Sequence, residues 1–394
     1  MTSPWARAWG SSGLAYLTGR PDGLPDFSRA NVLARADGVA AFIGSRLGFD
    51  VDAAVLLTGR AALLGLTRGG RVSAGGATRM LKARDGWWAI TLSRPDDLAA
   101  VPALLQADDV PGDPWPALSR WSASREVPAL VARARLLDLP AAGLGEAGPA
   151  SPRIHRAGPR APGRRLTDLL VADLSSMWAG PLCGQLLARA GATVVKVESP
   201  RRPDGTRRGN RAFFDWMNGE KLSHCLDFDG GAGELRELLA AADVVIESSR
   251  PAALARRGLG PADVAPRPGR IWLRLGGHDD SRPAFGDDAA VAGGLVGGGP
   301  DGPVFCGDAI ADPLSGLEAV AAVLDSLARG GGELIRVSMA AVAASYAALP
   351  TEAAVAPCPA PPPQAPPAPR PAPELGADAD AVRHLVAQRR CLTC

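Results

Sequence analysis

Asp312 is the residue of this 394-residue chain best placed to do chemistry. It stands in Ala309-Ile310-Ala311-Asp312-Pro313-Leu314-Ser315-Gly316-Leu317, at the mouth of an apolar segment, 314–327. There Leu317, Val320, Ala321, Leu324 and Leu327 recur at the spacing of one buried helical face. A helix start favours negative charge, so a carboxylate there is expected to stay ionised and able to attack an electrophile. An Asp at that place is also a common helix cap, and the local pattern leaves both roles open. A second group is cationic: Arg201, Arg202, Arg207, Arg208 and Arg211 follow closely on the segment 193–198. Together with the backbone N–H groups of a helix opening near Ala179-Gly180-Pro181, they could hold an anion such as phosphate, or be solvated loop residues. His278 has the titration range of a general base but no companion in its loop to orient it, and is expected at the surface. Cys391-Leu392-Thr393-Cys394 has CxxC spacing but lacks two further ligands nearby, so it reads as a tail and no metal site is expected.

The elements that must position these groups are legible as runs. Leu169 to Leu174 reads as a buried strand, 175–180 as a tight loop, and Pro181 as the first turn of a helix through Ala190. Thr193 to Glu198 is the next strand, which makes a β-α-β unit and implies a parallel sheet. Asp243 to Glu247 and Ile271 to Gly276 read as further strands, the latter ending in a loop where ligands usually bind. Asp85-Gly86 between two β-like runs predicts a hairpin, and Ala129 to Leu139 a helix that Pro140 ends.

Composition sets the frame. With 46% hydrophobic residues and no long unbroken apolar run, the chain is expected to be soluble and cytoplasmic, with no membrane span and no secretory signal. A net charge of +2 argues against a nucleic-acid partner, and six scattered cysteines argue against a disulfide scaffold. Ser12 to Asp37 repeats the order of Gly293 to Asp312: small-residue turn, Pro-Asp-Gly, irregular loop, Asp, apolar helix. Residues 1–70 are therefore expected to be a degenerate copy of the catalytic-helix region, with Asp37 in the place of Asp312. A small α+β domain at 71–140, a linker at 141–165, an α/β domain at 166–350, a proline-rich linker at 351–373 and a C-terminal segment at 374–394 complete the expected organisation.

Asp173-Leu174, Ala179-Gly180-Pro181, Gly191-Ala192, Lys196-Val197-Glu198, Arg250-Pro251, Leu259-Gly260 and Ala311-Asp312-Pro313-Leu314-Ser315-Gly316-Leu317 together resemble the class III CoA-transferase family, the CaiB/BaiF-like enzymes. The likeness is dense over 165–350 and sparse over 10–140, with the order of the halves rearranged. It implies an α/β fold with a Rossmann-like parallel sheet in the large domain and a smaller α+β domain. It further implies a homodimer, possibly interlocked, that moves CoA from an acyl-CoA donor to a carboxylic acid acceptor, CoA serving as substrate with no permanently bound cofactor. Asp312 matches the family's nucleophile, and Gly75 and Gly76 resemble its glycine loop. Trp178, Ala179, Lys196, Arg201, Arg207, Lys221 and Arg250 fall in segments that implicate them in CoA binding. Two arginines of the family's Asn-Arg-Gly-Lys-Arg-Ser turn are replaced by Gly219 and Leu222. Trp178 stands where the formyl-CoA enzyme has Gln, which implies a more apolar acyl group. A non-catalytic CoA-binding relative remains an alternative. The family's racemase branch is disfavoured, because Asp287 occupies the place of its His.

Overall fold

The computed structural model describes residues 3–110, 112–249, 251–299, 301–352 and 358–391. Its strands are β1 (Thr78–Lys82), β2 (Trp87–Thr91), β3 (Ala141–Gly143), β4 (Arg153–Arg156), β5 (Leu170–Leu174) and β6 (Thr193–Glu198). They continue as β7 (Leu222–Cys225), β8 (Val244–Glu247), β9 (Ile271–Gly276), β10 (Val296–Gly299), β11 (Gly302–Phe305) and β12 (Glu333–Ser338). The large sheet runs β4-β12-β9-β8-β5-β6-β7, parallel throughout except for the antiparallel edge strand β4.

The continuous apolar runs form this sheet because both of its faces are covered. Val171, Val194, Ile246, Leu273 and Val337 point to one face, under Leu182 and Leu186 of the Ala179–Arg189 helix and Leu314 and Leu317 of the Ala311–Ala328 helix. Their strand neighbours Leu170, Val195, Val245 and Trp272 point to the other face, under Leu235 and Leu238 of the Ala232–Ala241 helix and Val382 and Val386 of the Ala379–Cys391 helix. A separate antiparallel sheet, β1-β2-β3, turns at Asp85-Gly86 and packs Trp88 and Ile90 against Leu104, Leu118 and Leu130. Among the described residues no helix is long and apolar enough to cross a membrane.

Three expectations change. The Ala30–Leu47 helix does pack beside the Ala311–Ala328 helix, and both have 18 residues, but Asp37 lies in its middle on the exposed face rather than at its start. Asp37 is therefore no counterpart of Asp312. The stretch 141–165 is not a free linker: it supplies β3 to the small sheet and β4 to the edge of the large one. Nor is the proline-rich stretch detached. Near its end the Ala372 N–H donates to Asp215 (2.9 Å) and the Ala372 carbonyl accepts from Arg211 (2.7 Å), so it straps the Arg211–Asn218 helix.

Candidate active site

Asp312 is the second residue of the Ala311–Ala328 helix, whose N-cap, Ile310, has no side-chain cap. The cap role is thus not the one it plays. Its carboxylate instead accepts the backbone N–H of Gly286, at the start of a different helix, Gly286–Ala292. A Cβ at position 286 would sit 2.5 Å from Asp312 Oδ2 and 2.3 Å from the Ala309 carbonyl oxygen, so only glycine allows the two helix starts to meet this closely.

Three more carboxylates converge on the same point. Asp287 Oδ1 accepts the Ala309 N–H (3.0 Å), and its side chain also takes a hydrogen bond from the Ser73 hydroxyl. Asp308 is fully buried, and both of its oxygens meet Arg60 Nη1, at 2.6 and 2.7 Å. Asp288, also fully buried, accepts from Phe285 N–H (2.9 Å) and from the Thr91 hydroxyl (2.8 Å), which ties this helix to β2. Asp312 is half-buried, whereas Asp287, Asp288 and Asp308 are closed off, so it is the member of the cluster that a substrate can reach.

Burial first, then mutual repulsion, sets the protonation of this cluster. The Asp312 carboxyl is pushed up to about 7 by burial against the pull of Arg60, with Asp287 and Asp308 pushing it further up. Asp287 is also pushed up to about 7, by burial and by Asp308, and Asp288 to about 7, chiefly by burial. Burial pushes Asp308 up while the two-oxygen contact with Arg60 pulls against it. The expectation that the helix start alone keeps Asp312 ionised is corrected: two neighbouring carboxylates and desolvation outweigh it, leaving Asp312 poised near neutrality.

Arg60 is the hub, and the sequence reading missed it. It projects from the Ala53–Leu64 helix, where it is the one charge in Ala-Ala-Val-Leu-Leu-Thr-Gly-Arg-Ala-Ala-Leu-Leu; that isolation was the available signal. Its guanidinium carbon lies 5.8 Å from the ring centres of both Trp178 and Phe213, which pack edge to face at 5.4 Å. Its Nη2 would be 3.4 Å from a Cβ on Gly75, which places the turn Ser73-Ala74-Gly75-Gly76, closed by Gly76 N–H to Ser73 carbonyl (2.8 Å), against the site. The Ala311–Ala328 helix seats on the Ala179 carbonyl, 3.0 Å from where a Gly316 Cβ would stand. Asp312, Gly75 and Trp178 are thus brought around one guanidinium, with Ala179 set against the helix that carries Asp312.

The expected CoA-binding cations fare differently. Lys196 is buried and donates to Asp204 (2.7 Å) and the Ser175 carbonyl (2.5 Å). Lys221 is buried and donates to Asp173 (2.7 Å), the Pro181 carbonyl (2.9 Å) and Asn218 Oδ1 (3.1 Å). Both lysines therefore brace the strand ends from within, a correction to the reading that they face a ligand. Arg207 is held by Glu198 at 2.6 Å and stacks on Phe214. Arg201 is exposed, paired with Asp227 (2.9 Å) and Asp229 (3.4 Å), and Arg250 lies outside the described residues. His278 is buried rather than at the surface, beside Arg282 (3.2 Å), and burial with that positive neighbour pushes it down to about 4.

The chain is 31% identical over 200 residues to a succinyl-CoA–D-citramalate CoA-transferase of Chloroflexus aurantiacus, covering 45% of this chain and 50% of that one. It is 28% identical over 196 residues to a formyl-CoA:oxalate CoA-transferase of Escherichia coli, covering 44% and 47%. The crystal structure of the hypothetical protein Rv3272 of Mycobacterium tuberculosis aligns at 31% identity with a TM-score of 0.43, covering 46% of this chain and 57% of that one. The chain thus spans about half the length of the curated relatives it matches. Residues 166–374, more than half of the 394, match the model of CoA-transferase family III, a stretch that contains Asp287, Asp308 and Asp312. The chain whose paired helix starts hold Asp312 belongs to CoA-transferase family III.

Proposed function

We propose that this chain transfers CoA from an acyl-CoA to a carboxylic acid through covalent chemistry at Asp312. The observation that carries the reading is that Asp312 is reachable, does not cap its own helix, and is held by the Gly286 N–H in the field of Arg60. An Asp312 oxygen attacks the thioester carbon; the tetrahedral adduct collapses and expels CoA thiolate, leaving a mixed anhydride. The thiolate then attacks the aspartyl carbonyl, releasing the donor's carboxylate and forming an aspartyl-CoA thioester. The acceptor carboxylate repeats the sequence in reverse, leaving as its CoA thioester and freeing Asp312. Each adduct develops an oxyanion, and the Gly75 N–H beside Arg60 is the donor assigned to it, the Gly76 N–H being taken by the Ser73 carbonyl. Trp178, Ala179 and the exposed Arg201 remain the residues assigned to CoA.

The buried engagement of Lys196 and Lys221 favours one competing reading, a binding protein without turnover. Incubation with a panel of acyl-CoAs and hydroxylamine, followed by intact mass measurement, separates the two. A hydroxamate forms in the wild type and not in Asp312→Ala if the reaction runs; binding of CoA thioesters with no adduct from any donor leaves the binding protein.

A further inference from the structure

The acyl end of the site is surrounded by carboxyl groups reluctant to ionise and by buried aromatic rings. Asp287, Asp308 and Asp312 converge there with Asp288 directly behind, and the cation whose field reaches Asp287, Asp308 and Asp312 is Arg60. Arg60 is already committed: one of its terminal nitrogens bridges both oxygens of Asp308, its other terminal nitrogen abuts Gly75, and its plane is flanked by Trp178 and Phe213. Trp178 and Phe213 are 2% and 4% exposed, so the wall beside Arg60 is apolar and dry. A thioester carbon in reach of Asp312 carries the rest of its acyl group into these surroundings. A second carboxylate on that group would be desolvated beside Asp287, Asp308 and Asp312, whose own ionised forms burial already disfavours, with Arg60 held by Asp308 and not free to pair it. An alkyl or aryl group brings no charge into these surroundings and carries no such cost.

We infer that the site selects acyl groups of monocarboxylic acids, with alkyl or aryl substituents, and rejects those of dicarboxylic acids. This rests on the reading of Asp312 as the acyl-carrying residue, and it concerns the group beyond the thioester rather than the reaction. Rejection acts through a desolvated charge left without a partner, a device by which a site discriminates without tighter contacts to the preferred ligand.

The test compares propionyl-CoA, isobutyryl-CoA and succinyl-CoA, which share the CoA moiety, so that differences report the acyl end. Binding is measured by titration calorimetry on the full chain, and adduct formation by the hydroxylamine trap. Propionyl- and isobutyryl-CoA should bind more tightly than succinyl-CoA by on the order of 10–100-fold, and label faster by a similar factor. In Asp308→Asn, where Arg60 is released to meet a second carboxylate, the gap should narrow by on the order of tenfold. Succinyl-CoA binding as tightly as propionyl-CoA in the wild type would overturn the inference. A chain that binds the monocarboxylic thioesters preferentially but traps no adduct keeps this inference and loses the proposed reaction.

Discussion

Asp312 and Asp287 are both raised by burial, and Asp287 pushes Asp312 further up, so the rate should report the field of Asp287 at Asp312. In the proposed reaction Asp312 acts as a carboxylate, and its carboxyl is pushed up to about 7. kcat/KM is therefore expected to climb as pH rises toward 7 and to level off above it. Asp287→Asn keeps an oxygen for the Ala309 N–H but removes a like charge, so the midpoint of that profile should move to lower pH. An unmoved midpoint, or a move to higher pH, would show that Asp287 does not face Asp312. Asp312 itself was legible because its surroundings are local. Arg60 was not, because its partner Asp308 is 248 residues away and local spacing carries no trace of that contact.

The Gly286–Ala292 helix is the element that carries most of this strain, since it holds both Asp287 and Asp288 out of water. Asp288 is raised in the folded state above its unfolded value of 3.8, to about 7. Its contribution to stability is therefore fully present below about pH 4 and is lost as pH rises through 7. The wild type should thus lose thermal stability between pH 5 and pH 8. Asp288→Asn, which retains an acceptor for Thr91 and Phe285, should flatten that loss by on the order of 2–4 kcal/mol. Melting curves at several pH values decide it; parallel curves for the two proteins would contradict the burial of charge at 288. Elements of this sheet were readable where both faces are covered, as in Leu170–Leu174 and Thr193–Glu198, because burial on two sides leaves continuous apolar runs. β4 was not readable: Arg153–Arg156 is exposed along its length and is a strand only because β12 offers it an edge.

At the scale of the molecule, one chain supplies every group of the cluster. Arg60 and Ser73 come from its first quarter, and Asp287, Asp308 and Asp312 from beyond its middle. The expected rearrangement of the halves therefore still lets the glycine turn and the catalytic helix meet within one protomer. Mixing inactive Asp312→Ala with inactive Arg60→Ala should then restore no activity; recovery of about a quarter of the wild-type rate, as random pairing into shared sites would give, would show that the site is built between copies. The central claim is that the Asp312 carboxylate becomes covalently part of both anhydrides. Its most direct test is identity exchange, with propionyl-CoA and propionate heavy-oxygen-labelled at both carboxylate positions, followed by peptide mass analysis of the segment around Asp312. The anhydride route predicts that one heavy oxygen from propionate is left in the Asp312 carboxylate after a single turnover and a second after many, and none in Asp287 or Asp308. Exchange that proceeds while Asp312 stays unlabelled would contradict it.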